Sequence, residues 1–124
     1  MGNHLTRQQR EDMRFRVLRL LANEPDLSQR EMATKLGVSL GRANYCLNAL
    51  IEMGFVKVEN FKASRHKLGY IHVLTPKGIA ERTALATRFL KRKLAEYDAL
   101  SAEIKALKSE VRFASRPTPA PTRR

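Results

Sequence analysis

The 124-residue chain has one cysteine and no tryptophan. A single Cys46 excludes an internal disulfide framework and fits a reducing compartment. Acidic residues are scarce. The 12 Asp and Glu stand against 24 Lys and Arg, which leaves a formal charge of +12. No apolar run approaches the roughly 18 residues that a membrane span needs. The N-terminal stretch MGNHLTRQQRED lacks the apolar core of a signal peptide. The expected location is therefore cytoplasmic, with no membrane partner. His4, His66 and His72 are scattered, with no neighbouring ligands at metal-binding spacing. There is no phosphate-binding glycine loop and no nucleophile constellation. Neither an enzyme nor a cofactor nor a metal site is expected.

What is present is basic charge, spread unevenly. Residues 55–75 hold four Lys or Arg against one acidic residue, and residues 76–113 hold nine against five. The last stretch, ASRPTPAPTRR (114–124), holds three and no acid. This balance says nothing about fold. It does draw the chain to polyanions, with nucleic acid ahead of an anionic membrane surface. The length fits one domain, and 43% hydrophobic residues allow a modest core.

Thr6 and Gln9 have capping-box spacing, and Met13, Val17, Leu18 and Leu21 recur at helical spacing. A first helix is predicted from about Arg7 to Asn23, ended by Pro25. Ser28 and Glu31 form a second box, opening a helix whose inner face is Met32, Ala33 and Leu36 and which Gly37 stops. Ser39 fits the cap of the third helix. Its inner face is Ala43, Leu47, Leu50 and Ile51, and Gly54 closes it. FVKVE (55–59) and YIHVL (70–74) alternate as strands do and flank the basic stretch NFKASRHKLG (60–69), which reads as a hairpin.

Thr75 and Pro76 read as the cap and first residue of a last helix that nothing breaks from Gly78 to about Phe113. Some 35 residues would span about 52 Å, too long to pack wholly on so small a domain. Its apolar stripe is Leu90, Leu94, Tyr97, Leu100, Ile104, Leu107 and Val111, with steps of 4, 3, 3, 4, 3 and 4. That is close to a heptad seam with one irregular step, and it favours dimerisation over intramolecular packing. The Pro-rich tail 114–124 is predicted to be disordered.

Two short helices joined by a three-residue turn are the sequence form of a helix-turn-helix, and a basic hairpin after them makes a winged helix. The fold class is thus mainly α with a small β-hairpin wing. Residues 6–75 form the winged helix-turn-helix, 76–113 the long coiled-coil-like dimerisation helix, and 114–124 the tail. With Ala43, Leu47 and Leu50 inward, Leu40, Gly41, Arg42, Asn44, Tyr45 and Asn48 point outward or flank the core. Residues near the start of such a helix reach base edges. Arg42 suits a bidentate contact to guanine, Asn44 and Asn48 suit adenine or phosphate, and Tyr45 suits phosphate or a thymine methyl. Ser39 and the helix N-terminus suit a phosphate oxygen. Lys62, Arg65, His66 and Lys67 in the hairpin loop suit the DNA backbone or minor groove. A solvated polar face is the plainer alternative for all of these. Cys46 lies on or near the buried face, where cysteine is usually inert packing rather than an oxidation sensor.

LSQREMATKLGVSLGRANYCLNALIEMGFV resembles the helix-turn-helix of the MarR family of bacterial transcriptional regulators, and VLTPKG (73–78) resembles that family's step from wing to next helix. SLGRANYCLNALIEMGFVKVENF, HKLGYIHVLTPKGI and TRFLKRKLAEYDAL are together similar to exopolysaccharide-associated regulators of MarR type. The resemblance covers roughly residues 12–110. It implies a winged-helix repressor or activator of genes for extracellular polysaccharide. Typical relatives carry further flanking helices that build the dimer and often a ligand pocket. Here one helix follows the wing, so pairing through that helix is expected and a small-molecule effector is not. The expected partner is double-stranded DNA, bound by a nucleoid-associated homodimer. A winged-helix protein adaptor and a non-specific architectural DNA-binding protein are the rival readings.

Overall fold

The computed structural model describes residues 5–60 and 70–115. The elements run α1 (Arg7–Asn23), α2 (Gln29–Leu36), α3 (Leu40–Glu52), β1 (Val56–Asn60), β2 (Tyr70–Leu74) and α4 (Pro76–Ala114). The tail and the hairpin-loop residues Lys62, Arg65, His66 and Lys67 lie outside the described residues. The fold is mainly helical, with one two-stranded antiparallel hairpin.

Local chemistry sets the helix ends. The Thr6 hydroxyl accepts from the Gln9 N–H at 3.1 Å, and the Gln9 side chain accepts from the Thr6 N–H at 2.9 Å. Ser28 and Glu31 repeat this box at the start of α2. Two of the orphan donors at each helix start are thereby satisfied. At the end of α2, Gly37 adopts φ 70°, its N–H reaches the Thr34 carbonyl, and the Val38 N–H reaches that of Ala33. Gly54, at φ 80°, ends α3 in the same way, with Gly54 N–H on Ile51 and Phe55 N–H on Leu50. Both are paired reverse turns that need a left-handed residue. The second one corrects the start of the hairpin. The strand expected from Phe55 begins at Val56, because the Phe55 N–H is already committed to α3.

The core joins Val17, Leu18 and Leu21 of α1 to Met32 and Leu36 of α2 and to Leu47 and Leu50 of α3. Val56 and Phe55 close it from the hairpin side, and Leu85 from α4. Each such side chain contributes about 1.5–3 kcal/mol by leaving water. One compact unit runs through Phe89 and a second begins at Leu90. The first therefore extends past residue 75, where the sequence placed the edge of the winged domain. Leu85 is buried, and Ala86 and Phe89 pack on the core. The Phe89 ring lies 5.6 Å from that of Phe15. Arg14–Glu81 at 2.6 Å and Arg88–Glu11 at 3.3 Å add ion pairs between α1 and α4. Among the described residues no helix is long and apolar enough to cross a membrane.

The first turn of α4 is bonded to the last turn of α3. Gly78 N–H reaches the Thr75 hydroxyl at 3.0 Å, and the Lys77 ammonium reaches the Met53 carbonyl at 2.8 Å. A Cβ at Gly78 would overlap the Phe55 carbonyl oxygen, a backbone atom that cannot swing aside. Gly78→Ala should therefore cost about 3 kcal/mol or more, in the range of severe steric substitutions. Gly41→Ala meets nothing within 4 Å and should be neutral or stabilising by up to about 1 kcal/mol. Urea denaturation of the two variants checks this contrast.

Candidate nucleic-acid interface

The position of α3 follows from bonds at its N-terminal end. The Ser39 hydroxyl accepts from the Arg42 N–H at 3.1 Å, which caps the helix. The Arg16 guanidinium of α1 donates to the Leu36 carbonyl at 2.6 Å, just before the turn into α3. Lys35 pairs with Glu24 at 2.9 Å and ties α2 to the loop that precedes it. Arg16 was not among the residues singled out from sequence. No spacing rule links a residue on α1 to a carbonyl at the end of α2.

Ala43, Leu47 and Leu50 face the core, so the opposite side of α3 is presented outward. Tyr45 is 77% exposed and Leu40 38%. Gly41 and Asn48 are exposed, and a side chain at Gly41 would meet open space. Gly41, Tyr45 and Asn48 form the exposed part of the face. Arg42 and Asn44 are half-buried at its two margins, and the Asn44 Oδ1 is buried without a hydrogen-bond partner. Ser39 is exposed at the N-terminal end. Gly41, Tyr45 and Asn48 thus share one side of the helix, with Arg42 and Asn44 at its margins, while Leu40 is exposed at its first residue on the stripe of Ala43 and Leu47. Chemically, this surface offers amide, phenol and guanidinium groups together with an apolar Leu40. Those are the groups that pair with base edges, phosphate oxygens and thymine methyls.

Cys46 is half-buried between this face and the core. Burial pushes its thiol pKa up, and the nearby Arg42 charge opposes that less strongly. A protonated thiol is a poor nucleophile.

The hairpin pairs Val56 with Leu74, Val58 with His72 and Asn60 with Tyr70. Val56 and His72 are buried, while Asn60 and Tyr70 are exposed at the end that leads to residues 61–69. Lys57 pairs with Glu59 at 2.9 Å on the other side of the strand. The His72 N–H donates to the Pro25 carbonyl at 3.0 Å and fixes β2 to the loop between α1 and α2. Among the described residues there is no group of three or more potential metal ligands.

Residues 10–57 match the family model described as winged helix-turn-helix DNA-binding. No curated protein matches the sequence. Several solved structures are similar. CouR, described as a transcriptional repressor bound to a 23-mer DNA duplex, is 28% identical with a TM-score of 0.59, over 91% of this chain and 76% of CouR. The PcaV transcriptional regulator of Streptomyces coelicolor is 19% identical with a TM-score of 0.62, over 82% of this chain and 74% of PcaV. MarR of E. coli is 22% identical with a TM-score of 0.56, over 77% of this chain and 74% of MarR. The chain therefore has the MarR-type winged-helix fold.

His72 gives a test of how the wing is seated. Its side chain is buried with Nδ1 unpartnered, and burial holds its pKa below the usual value. The unfolded chain takes up this proton near pH 6.5, and the folded chain only at lower pH. Stability should hold above about pH 6.5 and fall as the pH drops through it. Denaturation midpoints followed across that range should show the fall in the unaltered chain and lose it in His72→Leu. An equal slope in both would remove His72 as its cause.

Proposed function

We propose that this chain is a DNA-binding transcriptional regulator that acts as a homodimer, with α3 in the major groove and the wing against the flanking backbone. The observation that carries the reading is the outward side of α3. A helix with a fully apolar inner face presents Leu40, Gly41, Tyr45 and Asn48 to solvent, with Arg42 and Asn44 at the margins, in a chain of charge +12. The match of residues 10–57 to a DNA-binding family model supports it. So does the likeness to a repressor solved on a DNA duplex.

In this reading Arg42 addresses a guanine edge, Asn44 and Asn48 adenine or phosphate, and Tyr45 a phosphate or thymine methyl. Ser39 and the α3 N-terminus hold a phosphate. Lys62, Arg65, His66 and Lys67 supply contacts whose strength falls with salt. Pairing runs through Leu90, Leu94, Tyr97, Leu100, Ile104, Leu107 and Val111, all of them 44% exposed or more in the single chain. Two copies then read a pseudo-palindrome with half-sites about 34–36 Å apart. The resemblance to exopolysaccharide-associated regulators supports targets among genes for extracellular polysaccharide. The site of action is the cytoplasm, at the nucleoid, and the reading includes no small-molecule effector.

Selection from random duplex DNA at two salt concentrations tests the proposal. A defined two-fold motif is the expected result. Equal recovery of all sequences would indicate an architectural protein, and no recovery an adaptor. On the selected duplex, Arg42→Ala and Asn48→Ala should each relax base preference, by about 1–3 kcal/mol at the contacted position. Lys62→Ala with Arg65→Ala should leave preference intact and lower the salt slope by about 2. Unchanged binding in every variant would place the DNA-binding face elsewhere.

A further inference from the structure

We propose that residues 90–114 form a parallel, in-register, two-stranded coiled coil with a second copy of this chain. This rests on the homodimer reading and adds its geometry. From Tyr97 onward the apolar positions of α4 keep a strict seven-residue repeat. Tyr97, Ile104 and Val111 make one set, and Leu100, Leu107 and Ala114 the other. Leu90 extends the first set backward, and Leu94 is the residue that falls beside the seam. Lys93 occupies the seam between Leu90 and Tyr97 and pairs with Glu96 at 3.1 Å, so close packing begins at Tyr97. Every residue from 93 to 115 is exposed, although the segment is helical to Ala114. Most helical stability comes from packing of an apolar face, and here that face is exposed among the described residues.

Shape and charge both choose the arrangement. β-Branched Ile104 and Val111 in the first set, with Leu100 and Leu107 in the second, is the combination that favours two parallel strands. The flanks of the seam differ from each other. One carries Glu96, Glu103 and Glu110, and the other carries Ser101, Lys108 and Ser115. Antiparallel pairing sets each flank against itself. Glutamate then meets glutamate in any register that keeps the seams together. Parallel pairing sets unlike flanks together, so that Glu103 meets the partner's Lys108 and the other glutamates meet serines. Among parallel registers, only the unshifted one pairs every layer from Tyr97 to Ala114. Both chains then enter the coil at the same end, at Leu90.

Glu103→Lys in the full-length chain, alone and with Lys108→Glu, separates the two orientations. The exposed site should tolerate the change. In the parallel coil the introduced lysine faces the partner's Lys108. Two repulsions then replace two attractions, and the dimer dissociation constant should rise about tenfold in sedimentation equilibrium. In an antiparallel coil residue 103 does not face Lys108, so the change should leave the dimer unweakened. Adding Lys108→Glu should restore the tight dimer only in the parallel coil. An unweakened single variant or an unrestored double variant would overturn the proposal. Disulfide capture gives a second readout in a Cys46→Ser background. Ala114→Cys alone should oxidise to a covalent dimer. Mixed Leu90→Cys and Ala114→Cys chains should give only like-with-like dimers. Mixed 90–114 dimers would keep the homodimer and overturn the parallel arrangement. A monomer at all concentrations would overturn both, and a trimer or tetramer would overturn the two-stranded coil.

Discussion

Phe55 joins three elements through its backbone and its ring. Its N–H completes the turn that ends α3, bonding to the Leu50 carbonyl at 2.9 Å, and its own carbonyl accepts the Thr75 N–H at 3.0 Å. The ring lies 5.0 Å from the Lys77 ammonium and 5.7 Å from the Arg14 guanidinium. The Thr75 hydroxyl donates to the Gly54 carbonyl while accepting from Gly78. Carbonyls left over at the end of one helix are thus satisfied by the start of another, and an orphan donor of the second by the residue that caps it. The closeness of this contact is why residue 78 has no side chain. The hairpin leaves at Val56 and returns at Leu74 within the same knot. The root of the wing is therefore fixed to the end of α3, the helix that presents Tyr45 and Asn48.

Presentation of α3 depends on its other end as well. Ser39 caps it, Gly37 makes the turn before it, and Arg16 holds the last carbonyl of α2. A helix fixed at both ends, with Ala43 and Leu47 at most 1% exposed, has little freedom to rotate about its axis. Rotation would drive Tyr45 or Asn48 into the core. Positional rigidity of this kind is what bidentate base contacts require, because their discrimination depends on hydrogen-bond geometry.

Features encoded within a few residues were legible in the sequence. The two capping boxes, the two left-handed glycines and the Thr75 cap are local, and each appears where its spacing indicates. Features that join distant segments were not. Nothing near Arg16 points to Leu36. Phe55 looked like the first residue of a strand because its side chain fits the alternation, whereas its N–H belongs to the preceding turn. On α3, periodicity separated inward from outward residues. It could not separate Tyr45, which stands clear, from Arg42 and Asn44, which are partly covered. That difference depends on what packs beside the helix, and period alone does not contain it. Lys62, Arg65, His66 and Lys67 lie outside the described residues, so their contribution is an argument from charge and position in the chain.

The basic charge and the exposed seam of α4 answer different needs in the proposed regulator. Charge attracts DNA of any sequence, and such binding is weak at physiological salt, with dissociation constants of about 10⁻⁴–10⁻⁶ M. One short recognition helix adds a few contacts of about 1–3 kcal/mol each. Discrimination against a whole chromosome needs more than that. Joining two identical readers makes the second contact intramolecular and multiplies the preference of the first without any new chemistry. That gain exists only if both readers can engage at once. The proposed parallel coil would bring equivalent residues of the two chains side by side where each chain enters it. In the proposed coil, Glu103 on one flank of the seam and Lys108 on the other favour entry of both chains at the same end. Under the proposed pairing, the charge pattern of α4 would bear on recognition although none of its residues need touch DNA.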